Sequence, residues 1–186
     1  GMLFHRWDFL KATEKHTGYK LLPLSIQHQG RLICLFPLYY RDFWGFKALF
    51  SPPPRACIPY LGPAMLPEFQ HLSQTKRENY SQKAVQGFID IMVSLAPHYT
   101  SVTCIPGFND ARPFQWNQFH IQALYNYEID LDLPLSEIWE NIQPRTRKYI
   151  KKHMDHIILH RVQTRDEIQK FYRAVEIKYK VQGLMP

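Results

Sequence analysis

Apolar and polar positions along the first third of the chain follow the pattern of short β-strands. Residues 19–28 and 31–40 are rich in apolar side chains. Gln29 and Gly30 separate them, a pair typical of the tight turn of a β-hairpin, since Gly readily adopts positive φ. A further short strand is predicted over residues 46–50. The beginning of the fold is therefore expected to be an antiparallel meander.

Three later segments carry strand patterns as well. Residues 99–105 predict a buried strand, and residues 157–162 predict a short one. Residues 121–133 contain a strict alternation, Tyr-Asn-Tyr-Glu-Ile-Asp-Leu-Asp-Leu, which predicts a strand with one apolar side. Pro134 ends that pattern. Residues 51–63 contain too many prolines for a helix or a ladder, so a stiff loop is predicted there.

Helical spacing predicts the remaining elements. A helix over residues 6–16 is expected to end at Gly18. Thr75 and Glu78 fit a capping box, in which each side chain bonds the other's backbone N–H. The helix after them has an apolar side that is expected to face the core: Ala84, Val85, Phe88, Ile89, Met92 and Leu95.

A second capping box, formed by Thr164 and Glu167, predicts the last helix. Its apolar side is expected to face inward and consists of Ile168, Phe171, Tyr172 and Val175. A shorter helix is predicted over residues 137–142. The order of helices and strands lacks the regular βαβ alternation of a doubly wound sheet. The fold class is therefore α/β of the mixed (α+β) kind, with a mixed sheet flanked by helices.

Net charge is distributed unevenly along the 186 residues. The chain carries 23 Lys and Arg against 16 Asp and Glu, a formal net charge of +7. All of the excess lies after residue 140, whereas the rest of the chain is balanced. A basic block of this kind usually binds an anion such as phosphate, nucleic acid or a membrane surface, or else forms a solvated helix face.

The densest basic stretch follows Pro144, a residue that often opens a helix. At 100° per residue, five cations fall within an arc of roughly 160° on such a helix; they are Arg145, Arg147, Lys148, Lys151 and Lys152. Tyr149, Ile150 and Met154 fall on the opposite side. An amphipathic helix with one densely cationic face is therefore predicted.

Several common kinds of site are not indicated. The sequence has no Rossmann or P-loop glycine motif, no GxSxG and no HExxH. Its three cysteines form no CxxC pair, so neither a zinc site nor a disulfide framework is indicated. Cys34 lies in an apolar stretch, which favours a buried, inert thiol, and a cytoplasmic location is expected. The spacing of His153, His156 and His160 resembles that of metal ligands on one helix face. The helix is expected to break near Asp155, however, and the break would separate the three side chains. Neither a membrane-spanning segment nor a secretory signal is visible.

Four stretches lie in order along nearly the whole chain, at residues 4–10, 30–37, 60–63 and 130–152. Together they resemble the Fem-type peptidyltransferases and their GNAT-like relatives. The first is Phe-His-Arg-Trp-Asp-Phe-Leu from residue 4, similar to that family's opening helix. Gly-Arg-Leu-Ile-Cys-Leu-Phe-Pro from residue 30 and Tyr-Leu-Gly-Pro from residue 60 resemble two of its strands. Asp-Leu-Asp-Leu from residue 130, Trp139, and the basic stretch from Arg145 resemble its crossover into a second domain.

The resemblance implies two GNAT-like domains and the transfer of an acyl or aminoacyl group to an amine, often on a peptidoglycan (cell-wall) precursor. Residues 1–140 would form the first, acceptor-side domain. Residues 141–186 would form the basic crossover helix and the start of an incomplete second domain. The catalytic cleft is expected beyond Pro186, so this chain alone is expected to lack the catalytic half.

The resemblance also implies roles for particular residues. Acceptor phosphates would meet Arg145, Arg147, Lys148, Lys151 and Lys152, with Lys11 as the nearest match to a phosphate-binding lysine near the opening helix. The donor would be acyl-CoA or an aminoacyl-tRNA, with no tightly bound cofactor and no metal. Partners would be an anionic cell-wall precursor and tRNA. The segment after residue 157 is expected to be loosely held or to dock on a second copy.

Two alternatives from other functional classes remain open. The same basic helix could bind nucleic acid, with affinity that falls steeply as salt rises. The aromatic-rich stretch from Phe114 to Phe119 could form a carbohydrate-binding surface, since exposed rings stack on flat ligands. A loop that tucks these rings under the fold is the structural alternative, and it is the one the sequence favours.

Overall fold

A five-stranded mixed sheet forms the centre of the first of two units into which the chain divides. The structure is a computed structural model that describes residues 3–158 and 160–181. The units are Gly1–Leu124 and Tyr125–Pro186. The mixed α/β class, with a mixed sheet flanked by helices, is confirmed. The division of family domains after residue 140 stays a prediction.

The sheet combines an antiparallel meander with one parallel strand. Its order is β1-β2-β3-β5, and β4 pairs with β2 beside β3. The pairs β1–β2, β2–β3 and β2–β4 are antiparallel, whereas β3–β5 is parallel. The strands are β1 (Lys20–His28), β2 (Arg31–Phe43), β3 (Phe46–Ser51), β4 (Ala64–Met65) and β5 (Tyr99–Val102).

Two-residue turns connect the meander. Gln29 and Gly30 both have positive φ, 51° and 75°, so the predicted hairpin turn is confirmed. Such turns match the twist of the flanking strands. The second turn, Trp44 and Gly45, also has positive φ at both positions, 54° and 94°. Here β2 continues to Phe43, three residues beyond the predicted end of the strand.

Helices cover both faces of the sheet in the first unit. α1 (Trp7–Thr17) ends at Gly18 in the left-handed conformation, and α2 (Gln74–Leu95) ends at Ala96. The predicted apolar side of α2 packs on one face, where Phe88 stacks on Phe36 of β2 at 5.0 Å between ring centroids. On the other face, Leu10 of α1 packs with Tyr39 of β2. The crossover from β3 through α2 to β5 makes β3 and β5 parallel.

Two predictions in this region are wrong. Thr75 does not cap α2, because the helix begins two residues earlier than the capping box requires, with Ser73 at the N-cap and no side-chain cap bond. Glu78 instead accepts from Gln74 and pairs with Arg112. The predicted strand 99–105 is shorter and none of its residues is fully buried, since β5 covers only Tyr99–Val102 and lies at the end of the sheet.

The irregular loop predicted after β3 is confirmed over residues 52–63. It is followed by β4, a 3₁₀ helix (Pro67–His71) and α2. A second 3₁₀ helix, Leu3–His5, precedes α1. After β5 the chain forms the short helix α3 (Arg112–Trp116). Within the described parts of the chain, no helix combines the length and apolarity needed to cross a membrane.

The described residues of the second unit, 125–158 and 160–181, form three helices with a 3₁₀ turn at Met154–His156; the helices are α4 (Leu135–Asn141), α5 (Pro144–His153) and α6 (Arg165–Val181). No residue of α4, α5 or α6 is buried. The prediction that the apolar side of α6 faces inward is therefore wrong. Ile168, Phe171 and Tyr172 are exposed, and Val175 is half-buried. Docking of this segment on a second copy stays a prediction.

Two predicted strands do not form. Residues 121–133 are irregular, and Tyr125 and Tyr127 are 93% and 98% exposed. The residues described between 157 and 162 form no strand either. Alternation gives a strand only when a neighbouring backbone supplies hydrogen bonds, and no ladder partner for either segment lies within residues 3–158 and 160–181.

Candidate anion-binding helix

The basic stretch forms α5, as predicted, and the local sequence explains its start. Pro144 occupies the first helical position, where its missing N–H would have no helical partner. Gln143 is extended at the N-cap, and its carbonyl accepts the first helical bond from Arg147 N at 3.0 Å. The helix ends in Lys151, Lys152 and His153, which suit the negative end of the helix dipole.

The five cations of α5 point largely into solvent. Arg147 is half-buried, and the other four are exposed; these are Arg145, Lys148, Lys151 and Lys152. The opposite side of the helix is only weakly packed, since Ile150 is half-buried while Tyr149 and Met154 are exposed. The structure therefore agrees with a helix that displays cations, but its predicted packing face is not buried.

No carboxylate neutralises these cations among the described residues. Every ion pair within residues 3–158 and 160–181 lies outside α5. Two of the cations instead lie over aromatic rings: the Arg145 guanidinium is 5.9 Å from the Tyr149 ring, and Lys151 Nζ is 5.9 Å from the Trp139 ring of α4. Such contacts leave the positive charge uncompensated and available to an anionic ligand.

Lys11 is placed differently from the other predicted phosphate ligands. It lies on α1 in the first unit, where its ammonium group pairs with Glu14 and lies 6.0 Å from the Trp7 ring. The Glu14 carboxylate also accepts from Leu21 N at 2.9 Å. The Lys11 hydrogen bond, followed by that backbone bond, lowers the pKa of Glu14. The charge of Lys11 is therefore already matched by a neighbouring carboxylate.

The histidines after α5 do not come together as a metal site. His153 ends α5, and His156 ends the following 3₁₀ turn. His160 Nε2 lies 2.7 Å from Glu167 Oε1 at the start of α6. Over the described ranges, 3–158 and 160–181, no group of three or more metal-ligating side chains is present.

A groove that the sequence did not indicate runs along the outer edge of β5 in the first unit. Its volume is about 670 Å³, and its walls are β5 and the irregular residues 119–124. Phe108, Phe114 and Phe119 make its floor apolar, while Asn109 and His120 contribute polar groups. Because the groove depends on where residues 119–124 run beside the sheet, no local pattern could have predicted it.

Neither Cys104 nor Cys34 supplies a nucleophile. Cys104 lines the groove and Cys34 lies in the core; burial raises the pKa of each thiol to about 12. Both are therefore protonated at neutral pH, and only a thiolate is a good nucleophile.

The aromatic stretch 114–119 divides between core and surface. Phe114 is buried and Phe119 packs against it, as the structural alternative predicts. Trp116 alone is 63% exposed, beside a cleft of about 230 Å³. Arg112 in this cleft is held by Asp110 at 2.7 Å and Glu78 at 2.9 Å. A continuous aromatic surface for carbohydrate is therefore not formed.

Comparison of the chain with known protein families, with curated proteins and with solved structures finds no match. The functional interpretation therefore depends on the residues and their geometry.

Proposed function

We propose that the chain is the acceptor-binding part of a GNAT-like, Fem-type acyl- or aminoacyltransferase, and that α5 binds the phosphates of its acceptor. This proposal rests mainly on one observation: α5 has five cations that no described carboxylate neutralises. The mixed sheet flanked by helices supports the GNAT-like part of the proposal at the level of architecture. The ordered sequence resemblance supports the family.

The chemistry of such a transfer defines what binding must achieve. A neutral amine of the acceptor attacks the carbonyl carbon of an acyl-CoA or aminoacyl-tRNA donor and forms a C–N bond. The C–S bond of the thioester or the C–O bond of the ester breaks, its sulfur or oxygen leaves with the electron pair, and the proton lost by the amine nitrogen passes to that leaving group through solvent. Holding the acceptor by its phosphates fixes the amine relative to the carbonyl, which converts a collision into a unimolecular step. In this proposal α5 orients the acceptor and takes no part in bond making.

Arginine and lysine would divide that work. A guanidinium binds two phosphate oxygens at once in a planar fork, whereas an ammonium acts as a mobile point charge. Arg145 and Arg147 at the start of α5 would set the geometry of the phosphate group. Lys148, Lys151 and Lys152 would add attraction over a larger volume.

The test is calorimetric titration with a nucleotide-linked sugar peptide whose peptide carries a free amine. We expect the Lys151→Ala/Lys152→Ala variant to bind at least about tenfold more weakly, the loss of roughly 1.4 kcal/mol. The matched control is Lys178→Ala/Lys180→Ala, which removes two cations from α6 and should leave affinity unchanged. Binding that is absent, or that both variants weaken equally, would contradict the proposal.

The nucleic-acid alternative uses the same cations and is distinguished by competition. If the ligand of α5 is RNA, the affinity for RNA should fall steeply as the salt concentration rises. The nucleotide-linked sugar peptide should then not displace bound RNA. If α5 serves the acceptor, the peptide should displace any bound RNA at concentrations near its own dissociation constant.

A further inference from the structure

The turn between β2 and β3 carries a cluster of exposed aromatic side chains, residues 43–46, here called the hairpin tip. Phe43 and Phe46 form the last pair of the β2–β3 ladder. Trp44 and Gly45 make the turn itself. Trp44 is fully exposed, and Phe43 and Phe46 are 40% and 50% exposed. The tip therefore presents three large aromatic side chains to solvent within four residues.

Trp44 is an unfavourable residue for this turn. Both turn residues have positive φ, a conformation for which Asn followed by Gly is the preferred pair. A bulky side chain with positive φ is strained. Of the aromatic stacking and cation–π contacts in the described chain, none involves Trp44. Since Trp44 adds strain and gains no packing, the fold itself does not explain it.

Polar groups around the tip leave positive charge beside the rings. The Asp42 carboxylate contributes one negative charge, and its Oδ1 accepts from Gly45 N at 2.6 Å, but two cations lie nearby. The Arg41 guanidinium lies over the Phe43 ring at 4.7 Å and over Tyr19 at 5.3 Å. Lys20 is exposed on the adjacent strand. Neither Arg41 nor Lys20 belongs to an ion pair within the described residues.

This combination fits the interface of a lipid bilayer better than a protein partner. Trp is enriched at the level of lipid headgroups, where its ring is half apolar and half polar. Neighbouring Lys and Arg are attracted by anionic headgroups. A stable protein interface covers about 800 Å² on each side, whereas the tip is a single two-residue turn with its flanking pair.

We propose that the hairpin tip inserts into the headgroup layer of an anionic lipid bilayer. Trp44, Phe43 and Phe46 enter the interface, and Arg41 and Lys20 contact lipid phosphates. The contact is peripheral, and it depends on the first unit alone. It is independent of the function proposed for α5.

The test measures co-sedimentation with vesicles of mixed phosphatidylcholine and phosphatidylglycerol. We expect Trp44→Asn to lower the partition coefficient at least about tenfold. Asn-Gly is the favoured turn pair, so this variant should fold at least as well as the parent, which thermal unfolding checks. The matched control is Trp116→Asn, which removes another exposed tryptophan of the first unit and should leave binding unchanged.

The cations of α5 are also attracted to anionic vesicles, so vesicle binding alone does not show that the hairpin tip inserts. Insertion is therefore measured by the fluorescence of Trp44. In a chain with Trp7, Trp116 and Trp139 replaced by Phe, Trp44 is the one remaining tryptophan. Its emission should shift to shorter wavelength with mixed vesicles and be quenched by brominated lipids. The proposal would be overturned if the emission of Trp44 did not change with vesicles, or if Trp44→Asn bound vesicles as well as the parent chain. It would also be overturned if Trp44 caused dimerisation without insertion into vesicles.

Discussion

Two small residues join β3 to the loop after it, and each is small for a physical reason. The buried Ser51 hydroxyl donates to Pro37 O at 2.6 Å and accepts from Gly62 N at 3.0 Å. Gly62 has φ +61° and lies against the backbone of Cys104. Leu61 N also donates to Thr103 O at 2.9 Å. These hydrogen bonds hold the loop of residues 52–63 against the sheet beside the parallel strands β3 and β5.

Replacing Gly62 by Ala should destabilise the first unit more than the same change at Gly30. Both glycines have positive φ, but a Cβ at Gly62 would lie 2.8 Å from Cys104 Cα, whereas nothing lies within 4 Å at Gly30. We expect losses in the free energy of unfolding of about 3 kcal/mol for Gly62→Ala and about 1 kcal/mol for Gly30→Ala. Urea unfolding measures both. Equal losses would show that overlap with Cys104 does not matter.

At the scale of elements, the two predicted capping boxes had opposite outcomes. Thr164 and Glu167 form theirs: Glu167 Oε2 accepts from Thr164 N at 3.0 Å, and Thr164 Oγ1 accepts from Glu167 N at 3.4 Å. At Thr75 the pattern is the same, but Glu78 pairs with Arg112, which is distant in sequence. A local motif predicts a cap only when no tertiary partner competes for its carboxylate.

The carboxylate of Glu167 should titrate far below its ordinary range. The backbone N–H of Gln163, followed by His160 and Thr164, lowers the pKa of Glu167 from 4.5 to about 2. Because the folded pKa is the lower one, the cap stabilises α6 above about pH 4.5 and is lost as the pH falls towards 2. Amide proton shifts of Gln163 and Thr164, followed by NMR, should titrate with a midpoint near 2.

Two variants control this titration. Thr164→Ala removes one acceptor and one donor of the cap, so the midpoint should move up towards 4.5. Glu167→Gln should abolish the titration of both amides. A midpoint near 4.5 in the unaltered chain would mean that the capping box does not persist in solution.

The strand predicted at residues 121–133 does not form, because an alternating pattern alone does not provide a pairing partner. Its alternation is as regular as that of β1, yet β1 has a hairpin partner fixed by Gln29 and Gly30, while residues 121–133 have no partner next to them in sequence. An alternating pattern shows that one side of a segment is apolar and the other polar. It does not show which strand the segment pairs with. The groove beside β5 depends on tertiary structure in the same way.

For the whole molecule, apolar burial and positive charge lie in different parts of the chain. Every residue that the structure describes as buried occurs no later than Phe114. The excess of Lys and Arg lies after residue 140. The sequence predicted the charge distribution and the cationic face of α5, because both follow from position and helical period. It did not predict that the helices of the second unit would lack buried residues.

This separation predicts that the first unit folds without the second. The cores packed on both faces of the sheet are complete within Gly1–Leu124. A fragment ending at Leu124 should therefore unfold in one cooperative transition, within about 4 °C of the transition of the whole chain, since a shift of that size corresponds to about 1 kcal/mol. Circular dichroism follows both. A fragment that lacks cooperative unfolding would show that residues after Leu124 complete the core, since apolar burial is the main force that stabilises a domain of this size.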